Sequence, residues 1–250
     1  MVQIWSCGGG TQSAAIAALI IQGRLPKPDY AAIVDTNREK TSTWRYMDCV
    51  LKPALAAVGV DLQRIDSSQY KTVDLYAENG SLLLPVFTNQ SGEIGKLPGY
   101  CSELWKKRVL QRWAREQGLE KVTCWMGIST NEIQRVRTSD ALWWQLRYPL
   151  IFEIRHSRHE CIARVESMGW PPPPRSACWN CPNQRDAEWK DLKENDPADF
   201  AQAVALDKSI RDKDPYAFLH ETCMPLEQVD FTEHQATLFD RACTSGYCWT

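Results

Sequence analysis

Apolar and polar positions order this chain into alternating strands and helices. Val2–Trp5 is a short apolar run that ends in Ser6-Cys7-Gly8-Gly9-Gly10-Thr11-Gln12-Ser13. Ala14–Ile21 is unbroken apolar sequence and predicts a buried helix, ended by Gly23 with Pro26 and Pro28 beyond. Tyr30–Val34 is a second strand, which closes a βαβ unit with a right-handed crossover. Asp35-Thr36-Asn37 leaves that strand as a loop, Thr43–Leu51 is helical, and Pro53 bends or restarts the helix. Asp61–Ile65 reads as a third strand, and Asn79–Gly99, rich in Gly, Ser, Pro and Asn, as a long loop.

The pattern then repeats. Ser102 is placed to cap a helix over Glu103–Gln117, with Trp105, Val109 and Trp113 as its apolar stripe and Lys106, Lys107, Arg108, Arg112 and Arg115 as its basic surface. Lys121–Met126 and Arg147–Phe152 read as strands. Ser157-Arg158-His159-Glu160 is a capping box that starts a helix running to Met168. A four-proline run, Pro171–Pro174, precedes Cys178-Trp179-Asn180-Cys181-Pro182, and the remainder is mainly polar and helical. The expected fold is α/β: an open, mostly parallel sheet with flanking helices over residues 1–155, followed by a helical, cysteine-bearing region over 156–250.

Composition narrows the picture. With 250 residues, 44% apolar and 24% charged, the chain can bury a large core, which excludes a disordered or low-complexity protein. The longest apolar run, Ala14–Ile21, is far short of the ~20 residues of a membrane span, and no basic segment followed by an apolar stretch opens the sequence, so a cytoplasmic protein without membrane contact is expected. The net charge of −2 hides a division. Residues 101–175 carry 13 basic and 8 acidic groups, and residues 176–250 carry 7 and 14. The basic middle suits an anionic ligand, while either segment also reads as ordinary charged helix surface. The ten cysteines, in a reducing compartment, point to metal, iron–sulfur or redox use rather than disulfides, with some, such as Cys49, serving as small core residues.

Three glycines between a strand and a helix let the backbone approach a ligand where the helix offers free N–H groups and its positive dipole end. That is an anion site or, failing a ligand, a plain tight turn. The spacing is neither that of a P-loop nor that of a dinucleotide fingerprint. Gly8-Gly9-Gly10-Thr11-Gln12-Ser13 resembles the PP-loop of the ATP pyrophosphatase and PAPS (phosphoadenosine phosphosulfate) reductase superfamily, with Gly8 in place of the usual Ser and Gln12 in place of the usual Asp. The resemblance continues through Asp35-Thr36 with Glu39 and Thr43, Tyr100-Cys101-Ser102 with Lys106-Lys107, Gly127-Ile128-Ser129 with Glu132 and Arg135, Tyr148-Pro149-Leu150-Ile151, and Ser176-Ala177-Cys178 with Cys181-Pro182.

This resemblance implies an adenine-nucleotide α-hydrolase-like fold that binds ATP, with Mg2+, through Gly8, Gly9, Gly10, Thr11, Gln12 and Ser13. Asp35, Thr36 and Gly127 would contact the nucleotide. Lys106 and Arg135, with Gln12, would serve the reaction, and Arg137 and Arg175 are reserve cations. The implied reaction cleaves ATP to AMP and pyrophosphate and adenylates an anionic acceptor, a nucleic acid or a nucleotide, for sulfur transfer, with a sulfur donor or reductant protein as partner. Trp105, Trp113, Trp143 and Trp144 read either as base-stacking residues or as core, and exposed tryptophans would favour a homodimer.

Cys178 and Cys181 have the spacing to share one metal, and Cys161 and Cys101 are their nearest candidates for completing the set, with Cys124 and Cys223 as alternatives. Four thiolates suit zinc or a [4Fe–4S] cluster, and the resemblance implies the cluster. The four histidines read as caps or surface residues. Two other functions stay open: a sulfonucleotide reductase that uses Cys243 or Cys248 near the C-terminus, and a nucleotide-binding iron–sulfur subunit without chemistry of its own.

Overall fold

A computed structural model describes residues 1–70 and 74–232. Five parallel strands form the main sheet: β1 (Val2–Ser6), β2 (Tyr30–Asp35), β3 (Leu62–Asp66), β6 (Val122–Met126) and β7 (Trp144–Arg147), in the order β3-β2-β1-β6-β7. The chain builds outward from β1 to β3 and then crosses back to the other side of β1. Loops after β1 and β6 therefore diverge at one crevice, where open parallel sheets bind ligands. The expected fold class is observed.

Both faces of the sheet are covered, which is why β2 is buried along nearly its whole length. One layer is α1 (Thr11–Ile21), α2 (Thr41–Tyr46), α3 (Lys52–Ala56) and α6 (Arg158–Glu166), whose apolar side chains share a core with Trp5, Trp125 and Leu150. α1 is apolar all round because α6 lies over its outer side, with Cys161 and Val165 packed into that core. Its C-terminal turn closes through Gly23 at φ +68°, with Arg24 N–H donating to the Leu19 carbonyl at 2.9 Å. The other face carries α4 (Arg108–Glu116), packed through Val109, Leu110 and Trp113.

A second core joins α7 (Asp186–Asn195) and α8 (Pro197–Arg211) to Trp105 and Trp179. A small antiparallel sheet of β4 (Phe87–Thr88), β5 (Gly95–Lys96) and β8 (Ala217–Phe218) stands beside it. Its first two strands lie inside Asn79–Gly99, read from the sequence as a loop; pairs of two residues leave no periodicity to detect.

Several expectations are corrected. The strand is Trp144–Arg147, not Arg147–Phe152: Pro149 opens a short helical turn, α5 (Pro149–Phe152), where its missing N–H costs nothing. Ser102 does not cap a helix but lies in a widened turn, Ser102–Lys107, that runs directly into α4. A second widened turn, Met47–Leu51, joins α2 to α3 just before Pro53, and the altered turn leaves Cys49 exposed rather than in the core. Trp105, Trp113 and Trp144 are core residues, and Trp143 stacks under the Arg115 guanidinium. The capping box at Ser157 forms as expected, with both reciprocal hydrogen bonds present. Among the described residues no helix is long and apolar enough to cross a membrane.

Candidate active site

The glycine loop follows β1 directly. Cys7 N–H donates to the Ala32 carbonyl at 2.8 Å, and Gly8 N–H donates to the Ser13 hydroxyl at 2.8 Å, so the loop folds back over the start of α1. Gly9 has φ +76°, and a Cβ there would stand 2.7 Å from Cγ2 of the fully buried Thr43. At Gly10 the obstacle is the chain behind the loop: a Cβ would lie 2.9 Å from Cβ of Ser176. Gly10 is the N-cap of α1, no side chain caps the helix, and its first turn carries no acidic residue. Its leading N–H groups and dipole are left for an external anion.

The loop opens into a cavity of about 410 Å³. One wall is Gly8, Gly10, Thr11, Gln12 and Ser13, continued by Gly127, Ser129, Glu132 and Arg135 from the segment after β6. The facing wall is Cys101, Trp105 and Lys106 from the start of the basic helix, with Arg175, Ser176, Cys178, Asn180 and Cys181 from the cysteine loop. Gln12 donates through Nε2 to Glu132 Oε2 at 2.9 Å, and Arg135 pairs with the same carboxylate. Arg175 pairs with Glu188 on the rim, and Arg158 also lines the opening.

Lys106 is a partly buried cation of the site, its side chain 19% exposed. Its Nζ lies 2.8 Å from Oε1 of Glu39, a carboxylate whose side chain is 1% exposed. Burial pushes the ammonium pKa down, but the Glu39 carboxylate more than offsets this and holds it above the ordinary lysine range. Glu39 also accepts from the Cys178 thiol at 3.8 Å and from Thr36 Oγ1 at 3.5 Å.

The cysteine loop is tied down at several points. Ser176 Oγ donates to the Gly8 carbonyl, Trp179 N–H donates to the Arg38 carbonyl at 2.8 Å, and Glu39 and Cys178 form an isolated backbone bridge. The glycine loop and the cysteine loop are thus in direct contact.

The predicted residues divide as follows. Gly8, Gly10, Thr11, Gln12, Ser13, Gly127, Lys106, Arg135, Cys101, Cys178 and Cys181 line one cavity, while Gly9 shapes the loop behind it. Asp35 stands outside the cavity wall, paired with Arg64 and accepting from Asn37 N–H at 2.7 Å, and Thr36 lies beneath Cys178 with 3.7 Å between Oγ1 and Sγ. Arg137 is not on the wall: its guanidinium donates to the Gln134 and Val136 carbonyls. The fourth expected ligand, Cys161, is not with the other three. It is fully buried between α1 and α6, and burial pushes its thiol up to about 12. The alternatives are no closer: Cys124 is core on β6, and Cys223 packs with Phe87 and Phe218.

Cys101, Cys178 and Cys181 are close enough to act on one another electrostatically. Burial first, then the Glu39 carboxylate and after it the two other thiols, raises Cys178; burial, then Cys181, takes Cys101 to about 11; Lys106 opposes both shifts. Among the described residues, however, no three His, Cys, Asp or Glu side chains converge at the spacing of a single metal ion. The described histidines take no part in the cavity wall; His220, for one, bridges Asp186 and Thr222 at 2.9 Å each. Cys243, Cys248 and His234 lie outside the described residues.

Sequence reading missed the pairing of Glu39 with Lys106, the anchoring role of Ser176, and Asn180 and Arg158 as wall residues. Glu39 and Ser176 both stand in the segments that carry the resemblance; nothing in the sequence marks Asn180 or Arg158.

No protein-family model matches the chain, and no curated protein matches it. Among solved structures, the chain is similar to the U34-tRNA thiolase NcsA from Methanococcus maripaludis with its [4Fe-4S] cluster, at 13% identity over 98% of this chain and 80% of that one, with a TM-score of 0.46, a likeness too distant to carry any argument about activity or site.

Proposed function

We propose that this chain is a PP-loop-type enzyme that binds ATP and transfers its adenylyl group to an acceptor, preparing that acceptor for sulfur transfer. The observation that carries the reading is the uncapped N-terminus of α1, opening between Lys106 and Arg135 into a cavity whose far wall bears three thiols. The loop amides and the helix dipole would hold the phosphates, with Lys106 and Arg135 neutralising the charge that grows on the leaving pyrophosphate. The acceptor oxygen would attack the α-phosphorus, the bond to the β-phosphate oxygen would break, and pyrophosphate would leave. A sulfur nucleophile would then displace AMP. Gln12 brings no charge to the loop, so Glu132, which accepts from Gln12 Nε2 at 2.9 Å, would supply the carboxylate for a Mg2+ carried in with ATP. The acceptor is an anion, a nucleic acid or a nucleotide, in keeping with Arg158 and Arg175 at the cavity wall and rim.

Cys101, Cys178 and Cys181 would hold a [4Fe–4S] cluster. Zinc needs its thiolates converging on one point, which these three do not do; a cluster spreads its ligands over several irons, so thiols facing one cavity from two segments suit it. The cluster would supply an iron to which inorganic sulfur can attach.

The test is pyrophosphate release from Mg2+-ATP by anaerobically purified protein, with and without single-stranded nucleic acid or nucleoside monophosphates. Release of pyrophosphate with AMP is the expected result. ATP binding without release would leave a nucleotide-binding subunit, and turnover of a sulfonucleotide instead of ATP would leave a reductase; either would overturn the proposal.

A further inference from the structure

Asn180, between the two cysteines of the anchored loop, is fully buried and lines the cavity, yet neither its Oδ1 nor its Nδ2 has a hydrogen-bond partner. A folded chain keeps an unpaired buried amide only at a cost in free energy, so such a group calls for an explanation. The loop does not need this amide for its own shape. Trp179 N–H donates to Arg38, Cys181 N–H donates to the Cys178 carbonyl at 3.1 Å, and Gln184 Nε2 donates to the Trp179 carbonyl at 3.1 Å. A second donor on the same cavity wall, Trp105 Nε1, is also buried without a partner.

The chemistry of these groups selects the ligand. A carboxamide sets one donor beside one acceptor in a plane. A phosphate or carboxylate would leave Oδ1 unpaired, and an apolar group would leave both atoms unpaired. A nucleobase edge, with its own donor beside an acceptor, satisfies both, and asparagine reads bases in this way elsewhere. Leu84, Pro85 and Pro182 add apolar surface suited to a flat ring. A separate narrow cleft at the carboxyl ends of β1, β2 and β6, lined by Ile33, Val34 and Met126 beside Gly8, is nearly closed, at about 20 Å³.

We propose that Asn180, with Trp105 Nε1, forms a second subsite that reads the base of the acceptor nucleotide. The inference rests on the reading above, in which the glycine loop takes ATP and the cavity beyond it takes the acceptor.

The test is calorimetric binding to the full-length, anaerobically purified chain saturated with α,β-methylene-ATP. The probes are AMP, GMP, CMP, UMP and a mixed-sequence single-stranded octanucleotide; monophosphates against octanucleotide separates a free nucleotide from a nucleic acid as the source of the base. At least one probe binds the wild type. Asn180→Ala weakens it by about tenfold or more, the scale of a lost bidentate base contact, and leaves the affinity for α,β-methylene-ATP within about twofold. Trp105→Phe moves probe affinity in the same direction, and Asn180→Asp, which replaces the donor with an acceptor, changes which base binds best. In Asn180→Ala relief of the unpaired amide and the small cavity left behind act in opposite directions on stability, and thermal unfolding checks that the variant is folded before binding is compared. The subsite is refuted if no probe binds the wild type, if Asn180→Ala binds every probe as tightly as the wild type, or if it loses the ATP analogue in equal measure. Failure of the analogue to bind at all counts against the function proposed above and not against the subsite, because the same comparison of wild type with Asn180→Ala is then made without it.

Discussion

Gly9→Ala tests whether the glycine loop is shaped by sterics, and its magnitude can be built from two independent parts. The first is backbone: a non-glycine residue held in the left-handed region loses roughly 1–2 kcal/mol, and Gly9 sits at φ +76°. The second is contact: the new methyl would lie 2.7 Å from Thr43 Cγ2, inside a buried helix that cannot easily retreat, and overpacking of this kind costs about 1–3 kcal/mol. Together they amount to about 2–5 kcal/mol, a fall in Tm of about 4–20 °C at ~2–4 °C per kcal/mol for a chain of this size. The assay is thermal and urea unfolding of Gly9→Ala, Thr43→Ser and the double variant. Thr43→Ser removes the obstructing methyl, at about 0.8 kcal/mol of its own. In the double variant the contact part should vanish and the backbone part should stay, giving a favourable coupling of about 1–3 kcal/mol. Additivity within about 0.5 kcal/mol would refute the steric account, and a Gly9→Ala protein as stable as wild type would refute both parts. Gly10→Ala is the control, because its φ of −101° is ordinary and only the contact with Ser176 should be felt.

Other consequences are open to direct measurement. After anaerobic reconstitution, Cys101→Ala, Cys178→Ala and Cys181→Ala should each lose most of their iron and sulfide, while Cys161→Ala should keep wild-type content; iron loss from a folded Cys161→Ala protein would contradict the three-thiol assignment. Lys106→Met should weaken α,β-methylene-ATP binding by about tenfold or more, and should also destabilise the fold by about 3–5 kcal/mol by leaving the Glu39 charge buried alone. The neutral double variant Glu39→Gln/Lys106→Met should recover much of that stability by urea titration, and no recovery would mean the pair is not coupled. For pH, burial holds the His156 imidazole below its ordinary value of 6.5, with Arg164 and Arg24 reinforcing and Glu160 opposing. The unfolded chain then takes up the proton first, so this contribution to stability is present above about pH 6.5 and fades as pH falls below it. The urea midpoint of wild type should drop more than that of His156→Gln between about pH 7.5 and 5.5, and parallel drops would exclude His156 as the cause.

The sequence discloses most of the sheet because its central strands are largely buried and read as mainly apolar runs, broken only by Gln3 in β1 and Thr123 in β6. It is ambiguous where apolar runs are short. Tyr148–Phe152 looks like a strand, and only Pro149 hints at the helical turn it makes, while the true edge strand, Trp144–Arg147, alternates too briefly to stand out. The glycine loop was legible because its conformation demands glycine at Gly9, and the capping box at Ser157 because its chemistry is local. The contacts that complete the site are not local. Gly8 meets Ser176 across 168 positions, Gln12 meets Glu132 across 120, and Cys178 meets Glu39 across 139. Cys161 misled for a related reason: a buried thiol on an amphipathic helix and a metal ligand look the same until the facing helix, here α1, is known.

The stitching of the cysteine loop onto the glycine loop has a consequence for the order in which the molecule is made. On the ribosome, β1, α1 and β2 emerge before the other strands, and they carry the β1–β2 pair of the finished sheet. The central sheet waits for β6, and the cavity wall waits still longer, for Arg175, Cys178 and Cys181. A nascent chain stopped before residue 175 therefore carries every strand of the main sheet and the whole glycine loop, yet lacks the segment that fastens Gly8 and covers Glu39 and Lys106. Completion of the cavity is in this way deferred until residues 175–181 have emerged, since loops closed over such separations form after local structure.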